Sequence, residues 1–306
     1  MASPSGYTFP ILNSDGTYSS TVVDMADMFV RKELFLNAGL WTWGYNLYGG
    51  LGNGTNINYS SPIQVGSLTN WKQLSIGGTN SVGSAQFVTA VKTDGTLWAW
   101  GADNFGQLGN GSIGTSLFYS SPIQVGALTN WKQVACGVSH VAAVKTDGTV
   151  WAWGTANYGQ LGNGYIGSAV YYSSPIQIGS LTNWTQVVCG YNHTYIYNNI
   201  GNLYTCGYNG YGQLGTIVYG NFNQSSPVQV GALTNWKQVA CGYMQTAAIK
   251  TDGTLWIFGY NTTGNLGNGT INNYSSPIQV GILTSWKQVA VGSQGKHSAA
   301  ISDGYI

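Results

Sequence analysis

Short stretches of alternating apolar and polar residues recur along the chain, separated by turns rich in Gly and Asn. In Trp98-Ala99-Trp100 the large side chains fall two residues apart, which puts them on one face of a strand. Four segment types repeat in fixed order. One reads Leu40-Trp41-Thr42-Trp43-Gly44 and returns at Leu97, Val150, Leu203 and Leu255, at spacings of 57, 53, 53 and 52 residues. A Ser-Ser-Pro-(Ile/Val)-Gln segment has its proline at 62, 122, 175, 227 and 277, and a Trp-x-Gln segment starts at Trp71, Trp131, Trp184, Trp236 and Trp286. The fourth is clearest in Ala142-Ala143-Val144-Lys145 and runs into hairpin signals such as Asp94-Gly95, Asp147-Gly148 and Asp252-Gly253.

Four short strands per repeat predict a four-stranded blade, and five copies predict an all-β chain forming a closed β-propeller of five four-stranded blades. Proline in the Ser-Ser-Pro segment suits an outer edge, where a missing N–H is not needed. The last residues, Asp303-Gly304-Tyr305-Ile306, stop where a Leu-Trp-x-Trp-Gly strand is due, and the extra copy of that strand lies at 40–44. One blade is therefore expected to be shared between the N- and C-terminal segments, closing the ring and removing both free edges. Residues 39–306 would form the propeller.

Residues 1–38 lie outside the pattern. A run over 24–35 predicts a short helix, and Met25, Met28, Phe29, Arg31 and Phe35 are its candidate docking residues; a disordered or ring-capping tail is the competing reading.

Composition changes the picture in one direction. Charged residues make up 6% of the chain, against about 25% in an ordinary globular protein. Gly (45), Tyr (21) and Trp (12) fill the space, as expected of many short strands and tight turns. The net charge is +1 and Arg31 is the one arginine, so phosphate neutralisation and bidentate guanine reading are disfavoured and no nucleic-acid partner is expected. The start of the chain has no basic or apolar run of a secretory signal, and no stretch approaches a membrane span. A soluble chain with no membrane partner is expected.

The second unit reads Cys136-Gly137-Val138-Ser139-His140, Asp147-Gly148, Val150-Trp151-Ala152-Trp153-Gly154 and Asn157-Tyr158-Gly159-Gln160-Leu161-Gly162-Asn163-Gly164. This pattern resembles the regulator-of-chromosome-condensation repeat family over residues 40–306. The resemblance implies a propeller used as a binding scaffold. The family usually carries seven blades where five repeats are counted here, and this chain lacks the inserted wedge, charged face and arginine pairs through which family members act.

Chemistry is sparse. Asp94, Asp147, Asp252 and Asp303 are expected in hairpin turns, which leaves Asp103 alone and no carboxylate pair for acid–base work. His140, His193 and His297 share a repeat position and are read as structural, with a metal cluster as the minor alternative. Cys136, Cys189 and Cys241 are spaced a blade apart and Cys206 replaces a strand tryptophan; all four read as small buried hydrophobes. Lys72, Lys132, Lys237 and Lys287 recur after the Trp of Trp-x-Gln, as solvated lysines or as a ring of charge. No catalytic residue, metal or cofactor is assigned.

The variable segments before Ser-Ser-Pro are rich in Tyr, Ser, Asn and Gly, the composition of adaptable binding loops. Tyr59, Phe118, Tyr119, Tyr165, Tyr171, Tyr172, Tyr219, Phe222 and Tyr274 are the loop candidates; weakly constrained outer loops are the even alternative. These features point to a non-enzymatic binding or structural protein. The preferred expectation is a phage virion component, a tail fibre or decoration protein. In that role residues 1–38 would anchor to other virion proteins, the loops would meet a host-surface glycan or protein, and the chain could assemble as a homo-oligomer. The alternative is a soluble, cytoplasmic protein–protein adaptor or inhibitor of the same fold.

Overall fold

The computed structural model describes residues 11–12, 18–19, 39–79, 86–114, 116–216, 222–232, 234–292 and 297–303. Every regular element among them is a strand. A small antiparallel pair, β1 (Ile11–Leu12) with β2 (Tyr18–Ser19), stands apart from the repeats. The expected helix over 24–35, with Met25, Met28, Phe29, Arg31 and Phe35, falls outside the described residues.

The repeats build antiparallel sheets, each a simple up-and-down run. The first pair is β3 (Trp41–Gly44) with β4 (Tyr59–Gln64). Sheet 1 follows as β5 (Trp71–Gly77), β6 (Phe87–Lys92), β7 (Leu97–Ala102) and β8 (Phe118–Gln124). Sheet 2 is β9 (Trp131–Cys136), β10 (His140–Lys145), β11 (Val150–Thr155) and β12 (Tyr171–Gln177). Sheet 3 is β13 (Trp184–Cys189), β14 (His193–Asn198), β15 (Leu203–Gly207) and β16 (Gln224–Gln229). Sheet 4 is β17 (Trp236–Cys241), β18 (Gln245–Lys250), β19 (Leu255–Gly259) and β20 (Tyr274–Gln279). The last pair is β21 (Trp286–Val291) with β22 (Ser298–Ser302).

Ser-Ser-Pro-Ile-Gln forms the outer strand, as its proline predicts. In sheet 1 the ladder runs from Ala99↔Ile123 to Gly101↔Tyr119, so Ser120, Ser121 and Pro122 form a bulge, where the missing N–H breaks no ladder bond.

The apolar core lies between successive sheets. Each of the five interfaces between neighbours has its own cluster, such as Leu97, Leu108, Trp131, Val141 and Trp153 between sheets 1 and 2. One glycine shows how tightly these surfaces meet. Gly109 has φ +71, and a Cβ there would lie 2.7 Å from Trp153 Nε1. Only glycine fits both demands.

Among the described residues the expected closure is not seen. β3–β4 and β21–β22 form separate two-stranded sheets, giving four complete sheets and two half-sheets in place of five blades. The side chains at the two ends are correspondingly bare. Trp43 is 61% exposed, whereas its counterpart Trp100 is 0% exposed; Ile76 is 64% exposed, whereas its counterpart Cys136 is 9% exposed. Counting strands gives the number of strands available but not which of them pair across the two ends, which depends on how successive sheets pack.

Candidate functional site

Strand direction alternates within each sheet, so the loops after the first and third strands open on one side of the molecule. The hairpins after the second strands and the links between sheets open on the other. The first side is aromatic. Tyr191 and Tyr243 follow the glycines after β13 and β17, and Tyr208 and Tyr260 follow β15 and β19. Tyr158 and Tyr211 sit in the turns that lead to the outer strands.

These six rings, drawn from three sheets, form a connected patch. Tyr158 meets Tyr208 edge-to-face at 5.1 Å, Tyr208 meets Tyr211 at 6.4 Å and Tyr211 meets Tyr260 at 5.0 Å. Tyr191 meets Tyr243 at 4.5 Å. Partial burial holds the Tyr191 and Tyr208 hydroxyls above the usual phenol range, and their neighbouring tyrosines add to it. Those two hydroxyls therefore stay protonated at neutral pH, and the patch offers apolar ring faces beside hydroxyls that donate and accept.

The loop candidates read from the sequence are placed differently. Tyr59, Tyr119, Tyr172 and Tyr274 open the outer strands and pair with Gly44, Gly101, Gly154 and Gly259. Tyr119, Tyr172 and Tyr274 pack against the core clusters. Phe118 pairs with Ala102, and Tyr171 pairs with Thr155 while its ring lies 5.2 Å from Phe105. Tyr165 and Phe222 are exposed, and Tyr219 lies outside the described residues. The tyrosine patch was missed because its members sit at repeat positions. The signal that marks most of them is tyrosine directly after a strand-ending glycine, at 190–191, 207–208, 242–243 and 259–260.

The remaining candidates are structural in placement. His140 and His193 are fully buried, and each reaches the next sheet: His140 Nε2 lies 3.0 Å from Thr194 Oγ1 and His193 Nε2 lies 3.4 Å from Thr246 Oγ1. Thr194 Oγ1 donates to the Gln160 carbonyl, so it accepts from His140 and fixes the proton on Nε2. Burial pushes His140 down to about 3, with His193 adding to the effect, and His193 down to about 4. Both are neutral at physiological pH. His297 is exposed. Among the described residues no three His, Cys, Asp or Glu side chains are grouped to hold a metal.

Asp103, left unassigned by sequence reasoning, is buried and accepts a hydrogen bond from the Leu108 N–H at 3.1 Å. Asn209 and Asn261 accept the same bond in sheets 3 and 4. Burial raises the Asp103 carboxyl to about 6. Asp94, Asp147 and Asp252 cap their hairpins through the following threonine, whose hydroxyl bonds hold the carboxyls below the usual range. Asp303 takes the turn position held by Thr146 in sheet 2. Its N–H bonds Ser285, as that of Thr146 bonds Asn130, and its carboxylate pairs with the exposed Lys287 at 2.9 Å. Cys136, Cys206 and Cys241 are buried, Cys189 half-buried, and all are free thiols. Burial raises Cys136 to about 11 and Cys206 to about 12, removing any ready thiolate. Lys72, Lys132 and Lys237 are exposed.

Known proteins place this architecture. A family model described as the RCC1-like domain matches residues 82–306, and one described as the regulator of chromosome condensation (RCC1) repeat matches residues 37–83. The ultraviolet-B receptor UVR8 of Arabidopsis thaliana is 31% identical over 236 residues, covering 75% of this chain and 51% of the receptor. The human probable E3 ubiquitin-protein ligase HERC6 is 36% identical over 185 residues, covering 58% of this chain and 18% of the ligase. Among solved structures, Prp20p of Saccharomyces cerevisiae superimposes with a TM-score of 0.72 at 19% identity, covering 87% of this chain and 65% of Prp20p. The chain thus spans about half the length of the receptor and under two thirds of Prp20p. With the repeat, the four-stranded sheets and a domain match over most of its length in agreement, this chain belongs to the RCC1-like domain family.

Proposed function

We propose that this chain is a non-enzymatic protein-recognition module that engages its partner through the tyrosine face. The observation that carries this reading is the convergence of Tyr158, Tyr191, Tyr208, Tyr211, Tyr243 and Tyr260 from three sheets onto one side. Tyrosine gives large contact area at low entropy cost, and rigid strands hold the rings in place before binding. Among the described residues this face carries no acid–base pair or activated nucleophile that would suit it to catalysis.

The relatives favour the adaptor reading over a virion component. They are plant, human and yeast proteins, and yeast Prp20p is described by its binding to Gsp1p and histones. A protein partner for this chain follows by analogy of scaffold; the identity of that partner does not carry over, since fold alone does not select a ligand. The exposed Tyr165 and Phe222 loops are proposed as the rim of the same recognition surface.

The test compares partners captured from the native source by the wild-type chain and by a Tyr158→Ser, Tyr208→Ser, Tyr211→Ser variant of matched thermal stability. A protein retained by the first and lost with the second supports the proposal. Equal capture by both overturns it.

A further inference from the structure

On the side opposite the tyrosine face, cross-strand register sets the Trp of each Trp-x-Gln segment against the last residue of the second strand. In three sheets that residue is lysine: Trp71 pairs with Lys92, Trp131 with Lys145 and Trp236 with Lys250. In sheets 1 and 2 a second tryptophan, from the third strand, completes an aromatic cage, whereas Lys250 of sheet 4 meets the third-strand ring alone and lies 4.0 Å from Asp252. Lys92 Nζ lies 3.7 Å from the Trp98 ring centre and 4.8 Å from Trp71. Lys145 Nζ lies 3.6 Å from Trp151 and 4.7 Å from Trp131. Lys250 Nζ lies 5.4 Å from Trp256. The fold thus carries internal ammonium groups in aromatic cages, an arrangement stabilised by the ring quadrupole.

Sheet 3 keeps the rings and lacks the cation. Trp184 pairs with Asn198, and Tyr204 stands in the third-strand position, its ring 5.1 Å from Trp184 at 87°. The Asn198 side chain is turned into its own hairpin, where Oδ1 accepts the N–H groups of Ile200 and Asn202 at 3.2 and 2.9 Å. Trp184 and Tyr204 line a cleft of about 410 Å³ between sheets 2 and 3, with Ile178, Leu181 and Pro227. The matching cleft at Trp71 and Trp98, where Lys92 is in place, measures about 300 Å³. The same interface has also lost a ring, because Cys206 occupies the place of Trp100, Trp153 and Phe258, and Cys206 Sγ is the atom nearest a Cβ built on Gly162.

We infer that the Trp184–Tyr204 cleft is a binding site for an alkylammonium group on an extended stem, the side chain of a lysine or methylated lysine supplied by another molecule. The ring pair provides the cation–π surface that the other sheets spend on their own lysines. Ile178, Leu181 and Pro227 provide an apolar channel for the stem, which a snorkelling side chain fills. This inference stands apart from the tyrosine face, since the cleft shares no residue with its six rings.

The test follows tryptophan indole N–H resonances while Nα-acetyl-trimethyllysine methylamide is titrated into the full chain. A second titration uses its neutral isostere, with carbon in place of the quaternary nitrogen. The expected result is a saturable shift of Trp184, with the isostere at least about twofold weaker, the lower range of one cation–π contact. N198K restores the lysine of the other sheets and should abolish the shift. K92N empties the cage of sheet 1 and should create a second response at Trp71. Equal binding of the isostere, or a shift that survives N198K together with no response in K92N, overturns the assignment. Choline, which carries the charge without the stem, should bind more weakly; tighter binding of choline overturns the side-chain source.

Discussion

Gln133 and Val187 lie in neighbouring sheets, yet they are joined as two strands would be. The Gln133 side-chain amide donates to the Val187 carbonyl at 2.8 Å, and its carbonyl accepts the Val187 N–H at 2.9 Å. Gln73 joins Val134 in the same way at 2.7 and 2.9 Å, and Gln238 joins Val289 at 3.2 Å in both directions. The Gln of the Trp-x-Gln repeat is thus a clasp between first strands, and the Trp beside it packs the interface.

Removing one clasp leaves a part-buried N–H and carbonyl without their partner, at a cost of about 2 kcal/mol. Gln133→Leu is expected to lower the melting temperature by roughly 3–4 °C. Gln186 occupies the same motif position in sheet 3 but is exposed, so Gln186→Leu should stay within about 0.5 kcal/mol of wild type. Thermal denaturation of both variants checks the contrast.

Trp43 and Trp100 are equivalent in the repeat and opposite in exposure. Trp100→Ala removes a fully buried ring whose Nε1 donates to the Gly50 carbonyl at 2.9 Å, and should cost about 3–5 kcal/mol. Trp43→Ala should cost about 0.5 kcal/mol or less. Urea unfolding measures both. A Trp43 effect as large as that of Trp100 would show that β3 is covered by another strand in solution.

Asp103 carries a pH dependence whose sign follows from its raised carboxyl. The folded chain holds the proton more tightly than the unfolded chain. The contribution is therefore complete below about pH 4 and is lost as the pH rises through about 6. Asp103→Asn mimics the asparagines of sheets 3 and 4 and should stabilise the chain at pH 7.5 by about 2 kcal/mol, with little effect at pH 4. Melting temperatures of both proteins at the two values provide the check.

His140 and His193 act in the other direction. Their folded values lie below the ordinary histidine value of 6.5, so their contribution is present above that pH and is lost as the pH falls toward about 4 and about 3. Each histidine steepens acid destabilisation by up to about 1.4 kcal/mol per pH unit. Gln245 fills this position in sheet 4, so a His140→Gln, His193→Gln variant should fold and lose stability less steeply between pH 6.5 and 4.5. Chemical denaturation across that range measures the slope.

The legible part of this molecule is what repeats. The outer placement of Pro122, the hairpin caps at Asp94, Asp147 and Asp252, and the burial of Cys136 and Cys206 all follow from local geometry copied along the chain. The tyrosine face was not legible, because Tyr158, Tyr208 and Tyr243 are far apart in sequence and meet only when three sheets are stacked side by side. The empty cage was hidden for a related reason. Asn198 stands out only once β14 is registered against Trp184 and the lysines at the same rung are seen filling their rings.

By itself the sequence determined strand identity, the order of strands within a sheet, the repeat, the turn chemistry and the scarcity of charge, all of which depend on neighbours a few residues away. Tertiary structure alone decided how the sheets meet. Side-chain packing across interfaces such as Trp153 on Gly109 places the sheets, and among the described residues it leaves Trp43 bare and β3–β4 unpaired with β21–β22. Which tyrosines share a face, and which aromatic pair lacks a cation, were decided at those same contacts, since both depend on residues brought together from successive repeats.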